Sequence, residues 1–120
     1  MLIKSKKNET SYIEIKDRIT AGVRDRYIFM KTPKIKYNAE GGISIDTSAL
    51  TEYENNPNLY LLSKCVVKIV EEGVDKTPKN SNISDFIKML DEDFYDSELL
   101  KDTIQKALEV YNFLEENMND

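Results

Sequence analysis

Histidine and tryptophan are absent from these 120 residues, and cysteine occurs once, as Cys65. Without an imidazole there is no Ser-His-Asp triad, no Cys-His pair, no His general base and no His-containing zinc site. A lone thiol excludes an internal disulfide and a Cys-rich metal centre, and it fits a reducing compartment. Glycine (four) and proline (three) are too scarce for a low-complexity or collagenous chain. No apolar run approaches the ~18 residues that a membrane span requires. The first eight residues lack the apolar h-region of a secretion signal, so no leader is expected, and the sequons at Asn8 and Asn82 read as chance matches.

What is present is the composition of an ordinary globular domain, with 40% hydrophobic and 32% charged residues. The expected organisation is a flexible basic segment over residues 1–10, followed by one globular domain over 11–118. The formal charge is −5 but is distributed unevenly. Residues 1–36 hold ten Lys/Arg against four Asp/Glu, a balance of +6, and residues 37–120 hold seven against eighteen, a balance of −11. Such a split steers association with charged partners, or lets the basic end of one copy meet the acidic end of another. Nucleic acid is disfavoured as a partner, because the basic residues are interrupted by acids and the overall field repels phosphate.

Local pattern places strands in the first half. Tyr12-Ile13-Glu14-Ile15 alternates apolar and polar positions and reads as a strand at the edge of a small sheet. Ile19, Val23, Tyr27 and Met30 recur at helical spacing, with Thr20 or Asp17 as cap and Pro33 as terminator; Gly22 weakens that helix by about 1 kcal/mol. Lys34–Tyr37 and Ile43–Asp46 alternate around the turn-prone Asn38-Ala39-Glu40-Gly41-Gly42, which predicts a hairpin. Three short strands then make one sheet.

The second half reads as helical. Asn56 caps and Pro57 opens a helix expected to run to Glu72, apolar on several sides, with Gly73 as its left-handed terminator. Ser81 or Ser84 caps a short helix bearing Phe86, Ile87, Met89 and Leu90. A long helix is expected from Ser97 to Asn117, with Leu100, Ile104, Leu108, Tyr111 and Met118 as its stripe and Ala107 and Leu114 on the flanks. The sum is a mainly α, α+β chain in which a small antiparallel sheet from the N-terminal half packs against a helical C-terminal half.

Motifs of chemistry are few. There is no phosphate-binding glycine loop and no nucleophile elbow, and Gly41-Gly42 sits between strands. The acidic group Asp91, Glu92, Asp93, Asp96 and Glu98 lacks the glycine that an EF-hand loop requires at its sixth position, and is read as acids at helix starts. Cys65 lies in an apolar helix with no cationic cluster beside it, as a core residue does. No catalytic residue, metal ligand or cofactor site is expected, and no enzyme activity. The seven tyrosines divide between core edges and partner surfaces.

The run Tyr12-Ile13-Glu14-Ile15, then Ile19-Thr20-Ala21-Gly22-Val23-Arg24-Asp25-Arg26, later Asn55 to Val67 leading to Gly73, then Ile83 to Leu90 and a last long helix, resembles the tail assembly chaperones of long-tailed bacteriophages and prophages of Gram-positive hosts. The resemblance spans roughly residues 11–116 and is tightest at Arg24-Asp25-Arg26 and Leu59–Val67. It implies a non-enzymatic factor in the cytoplasm of the bacterial host that keeps the tape measure protein soluble and recruits tail tube subunits. It also implies self-association, absence from the mature virion and, in some members, a longer frameshifted form. The family pattern supplies no ligand residues. Arg24, Arg26, Tyr27, Tyr60 and Lys64, in or beside the closest-matching segments, are the expected partner-binding side chains. The alternative is a small acidic regulatory binder, an antitoxin or inhibitor of a nucleic-acid enzyme, with Asp91–Glu98 imitating phosphate.

Overall fold

A computed structural model describes residues 1–31, 34–37, 43–46, 56–80 and 82–113, the side chains of 34–37 and 43–46 excepted. The strand at residues 12–15 is interior to its sheet, not at the edge. Strand β1 (Leu2–Lys4) pairs antiparallel with β2 (Tyr12–Ile15), with Ile3 opposite Ile13. The first residues are therefore an edge strand where a loose end is expected: the amino group of Met1 donates to the Ile15 carbonyl at 3.0 Å, and Ile3 packs on the core.

Helix α1 (Ala21–Lys31) follows, opened by Thr20, whose hydroxyl accepts the Val23 N–H at 3.3 Å. Strands β3 (Lys34–Tyr37) and β4 (Ile43–Asp46) form the expected antiparallel hairpin, but as a separate two-stranded sheet. Its turn, Pro33 and the connection over 47–55 lie outside the described residues.

Helix α2 (Pro57–Cys65) opens as the sequence predicts, with the Asn56 side chain accepting the N–H groups of Asn58 and Leu59. It then ends a full seven residues early. Val66–Glu71 is strand β5, not helix, and pairs with β2, Ile69 facing Ile13. Four of its six residues are β-branched, a class that favours the pleated strand wherever a partner edge exists, and β2 supplies that edge. The register slips between Glu14 and Ile15, leaving Val67 as an extra residue turned outward. Gly73 is left-handed as expected, at φ 80°, but beside Glu72 at φ 51° it makes a two-residue hairpin turn into β6 (Val74–Asp75) instead of ending a helix.

The main sheet is thus antiparallel in the order β1-β2-β5-β6. The α+β class holds as expected, with the second half of the chain lending two of the four strands. Helix α3 (Ile83–Glu92) is capped by Asn82, not by a serine, and buries Phe86 and Met89. Ser81 lies outside the described residues. Helix α4 (Ser97–Val110) crosses β1 and β2. Its buried line is Leu99, Thr103, Ala107 and Tyr111, with Leu100, Ile104 and Leu108 only partly buried, so the stripe is turned by about one residue from the predicted one. Thr103 is admitted because its hydroxyl donates to the Leu99 carbonyl within the helix at 2.7 Å.

Helix α4 also stops earlier than Asn117. Asn112 is left-handed at φ 64°, its N–H bonds the Glu109 carbonyl, and the Phe113 N–H bonds that of Leu108. That is the Schellman termination, with asparagine in the place glycine usually takes. The core gathers Ile13, Ile15 and Ile69 from the sheet, Tyr27, Leu61, Leu62 and Cys65 from α1 and α2, and the buried faces of α3 and α4. Among the described residues no helix is long and apolar enough to cross a membrane.

Candidate interaction surface

Two helices carry the five side chains expected at a partner surface, and the fold packs them together: α1 lies on α2. The five then divide. Tyr27 is 1% exposed, its hydroxyl donating to Asn58 Oδ1 at 3.0 Å and its ring 4.4 Å from that of Phe113. Burial raises its pKa above the ordinary tyrosine value. Arg24 also turns inward, donating from Nη2 to the Tyr111 carbonyl and lying 4.6 Å over the Phe113 ring. It thereby supplies a cation to the carbonyl end of α4, where the helix dipole favours one. These two residues join α1 to α2 and to the end of α4, and do not present a contact surface themselves.

Arg26, Tyr60 and Lys64 remain at the surface. The guanidinium of Arg26, exposed on α1, stands 5.9 Å from the centroid of the half-buried Tyr60 ring on α2. Lys64 follows one turn later on the same side of α2, also half-buried. Cation–aromatic contacts of this kind are worth about 0.5–1 kcal/mol at exposed sites. The result is a stripe of Arg26, Tyr60 and Lys64 in which Arg26 faces the ring.

Some of the other cations are matched by carboxylates within the chain. Lys6 reaches Asp102 and Lys7 reaches Glu98, both at 3.7 Å, so part of the basic first segment is neutralised by the acidic face of α4. The acidic cluster is distributed differently from the expected helix-start arrangement. Asp96 caps α4, accepting the Leu99 N–H at 3.0 Å and the Ser5 hydroxyl at 2.6 Å, and Glu98 lies in its first turn. Asp91 and Glu92 sit instead in the last turn of α3, where the dipole disfavours them. Lys76 compensates by donating to the Asp93 carbonyl just beyond that helix.

The pattern gave no signal for one further node. Glu71, buried at the end of β5, accepts the backbone N–H of Tyr95 and of Asp96 and an ion pair from Lys76 at 2.6 Å, fixing the α3–α4 connection to the sheet. Asn112, by contrast, stands where an asparagine terminator is a recognised sign.

Chemical potential is low at the remaining candidates. Cys65 is fully buried, and burial pushes its thiol up to about 11, so no thiolate forms near neutrality. Among the described residues there is no cluster of three metal-ligating side chains. A cavity of about 200 Å³ lies between Thr77–Asn80, the start of α3 and β5, with Val66, Val67 and Phe86 on its apolar side. A shallower groove continues along Asp85, Lys88, Met89 and Glu92 of α3.

No family model, curated protein or solved structure matches the chain. The fold and surface define a small α+β domain with a cation–tyrosine face on two packed helices.

Proposed function

We propose that this chain is a non-enzymatic tail assembly chaperone of a long-tailed bacteriophage or prophage, acting in the host cytoplasm and left out of the finished particle. In this reading it keeps the tape measure protein soluble and recruits tail tube subunits around it. The observation that carries the reading is the packing of α1 on α2. The two segments through which the sequence most resembles that family, residues 24–26 and 59–67, are more than thirty positions apart yet meet where α1 packs on α2, with Arg26 over Tyr60. A long helical client is suited by such a face, since helix-in-groove recognition combines an apolar contact with flanking charges.

The chemistry available points the same way. A chain without histidine, whose single thiol is buried and held protonated, has little means of acid–base or nucleophilic catalysis. A phosphate-imitating acidic regulator is less well supported, because Asp96 is committed to capping α4 and Asp93 stands 3.9 Å from Lys76. Self-association belongs to the proposal too, and a head-to-tail contact between copies would draw on cations other than Lys6 and Lys7.

The test is co-expression with the tape measure and tail tube proteins of the same genome, followed by solubility and co-elution measurements. The expected result is a tape measure protein that is insoluble alone and soluble in complex with this chain. Insolubility of the tape measure in both conditions would overturn the reading.

A further inference from the structure

The segment between β6 and α4 is fastened to the sheet at its two ends, and both fastenings fall on β5. At one end Thr77 Oγ1 accepts the Ile69 N–H at 2.8 Å, and the Lys76 N–H donates to the Ile69 carbonyl at 2.8 Å. At the other, Glu71 accepts the N–H groups of Tyr95 and Asp96. Residues 78–94, with α3 inside them, therefore leave β5 and return to it on anchors two positions apart in that strand. We infer that α3 is a latched flap, which opens as a unit between these anchors while the sheet, α1, α2 and α4 stay folded, and that Lys76 is the latch.

Little holds α3 down. It buries Phe86 and Met89, has Leu90 partly against the core, and packs chiefly on α2. Its first turn is tied to the neighbouring turn, since Asn80 and Asn82 both donate to Asp85 Oδ2, at 3.1 and 3.2 Å. The cavity of about 200 Å³ lies at its start, between Phe86 and Val66–Val67 of β5, and the groove runs along its flank at Asp85, Lys88, Met89 and Glu92. Side chains that line empty space forgo the close contacts of a filled core. The latch is at the other end. Lys76 Nζ holds Glu71 at 2.6 Å, donates to the Asp93 carbonyl and stands 3.9 Å from the Asp93 carboxylate. One ammonium thus joins the sheet to the residue that follows α3.

The other helices are bolted to distant parts of the chain. α4 is held by Ser5 at Asp96, by Lys7 at Glu98 and by Lys6 at Asp102, and at its end the Tyr111 hydroxyl donates to the Lys16 carbonyl at 2.6 Å. α1 buries only Tyr27, but it sends that hydroxyl to Asn58 and Arg24 to the Tyr111 carbonyl. α2 buries four of its nine residues and runs directly into β5. Segments with few buried apolar contacts open before the rest of a fold, and do so as contiguous units. Opening bares Phe86 and Met89 and uncovers the cavity at Val66. It leaves α1 on α2, so it is independent of the chaperone reading.

Native-state hydrogen exchange of the full chain, followed in ¹⁵N spectra at low urea, tests this. A ten-residue helix detached from its support does not persist in water, so opening releases its amides to solvent. The amides of Ile87–Glu92 are expected to exchange through one shared opening, at least about tenfold faster than the most protected amides of β2 and β5 and with a smaller urea slope. Those of Tyr95 and Asp96, beyond the hinge, are expected to exchange more slowly than α3.

Two variants separate opening from global unfolding. Ile13→Val is mild enough to fold; it should speed exchange in the sheet and α4 by about two- to tenfold and leave Ile87–Glu92 unchanged, because Ile13 stays packed when the flap opens. Lys76→Met should speed Ile87–Glu92 by about tenfold or more, since a hydrogen bond from a charged group is lost. Equal urea slopes for α3 and β5, equal acceleration of both by Ile13→Val, unrelated rates along Ile87–Glu92, or no response of α3 to Lys76→Met would each overturn the inference.

Discussion

The carboxylate of Glu71 and the ammonium of Lys76 meet at 2.6 Å across the β5–β6 hairpin, with only 5% and 11% of their side chains exposed. The second carboxylate oxygen is not left bare: it accepts the N–H groups of Tyr95 and Asp96 at 3.1 and 2.8 Å. The pair therefore ties the sheet to the connection from which α4 departs.

Removing one partner of a buried pair costs more than the pair itself contributes, because the survivor stays desolvated. Lys76→Met is expected to destabilise the fold by about 3 kcal/mol, read as a lower urea midpoint at unchanged m-value. A shift within experimental error would show that water reaches Glu71.

Glycine at two positions should respond to alanine with opposite signs. Gly22 lies in α1 and Gly73 in a left-handed turn at φ 80°, and neither has an atom within 4 Å of an added Cβ. With no clash at either site, only backbone conformation differs. Gly22→Ala is expected to stabilise by about 0.5–1 kcal/mol, and Gly73→Ala to destabilise by about 1 kcal/mol or more. Thermal melts of the two variants decide it.

At the end of α4 the same reasoning applies to a non-glycine. Asn112→Gly should leave stability equal or higher, and Asn112→Ala should lower it by about 1 kcal/mol, since alanine tolerates the left-handed region poorly. Equal melting temperatures for the two variants would mean that the helix ends elsewhere in solution.

Alkaline pH acts on four groups in one direction. Burial pushes Cys65 from 9.0 up to about 11 and raises Tyr27 and Tyr111 above 10.0, and the hydrogen bond to Glu71 raises Lys76 above 10.5. In each case the folded chain holds its proton more tightly than the unfolded chain. The contribution is complete below the ordinary value and is lost as pH climbs through the folded one. Denaturant midpoints should hold level up to about pH 9.0 as far as these groups are concerned, then fall. Cys65→Ala should make the fall between pH 9 and 11 shallower, by about 2 kcal/mol. An equally steep fall in the variant would assign the loss to the other three.

Three helix starts were legible, whereas the ends of α2 and α4, the Asn82 cap of α3 and strand β1 were not. Thr20, Asn56 and Asp96 announce their helices through short polar side chains that accept a backbone N–H two or three residues on. The run Val66-Val67-Lys68-Ile69-Val70-Glu71 satisfies both a helical stripe and a doubly buried strand, and its pattern cannot separate them. The choice is made by β2, some fifty residues earlier, which offers an edge that a helix could not use. The β-branched content and the following Glu72-Gly73 are the signs that favoured the strand. That the five expected partner residues fall within two short segments was legible, and those segments pack on one another. Their division into an inner anchor and an outer stripe was not, because it depends on Phe113 and on where α4 stops.

The meander β1-β2-β5-β6 keeps sequence neighbours side by side at both edges and is interrupted once, between its two central strands. Everything from residue 16 to residue 65, including both helices of the candidate surface, is an excursion that leaves the sheet at Ile15 and returns at Val66. The entropy of closing such a loop rises by only about 0.6 kcal/mol for each doubling of its length. That small cost leaves the length of the excursion open to change, but not its packed contents: Tyr27, Leu61, Leu62 and Cys65 enter the core shared with the sheet and α3–α4, and Arg24 bonds the end of α4. The helices that bear the stripe are thus built into the platform on which the chain closes.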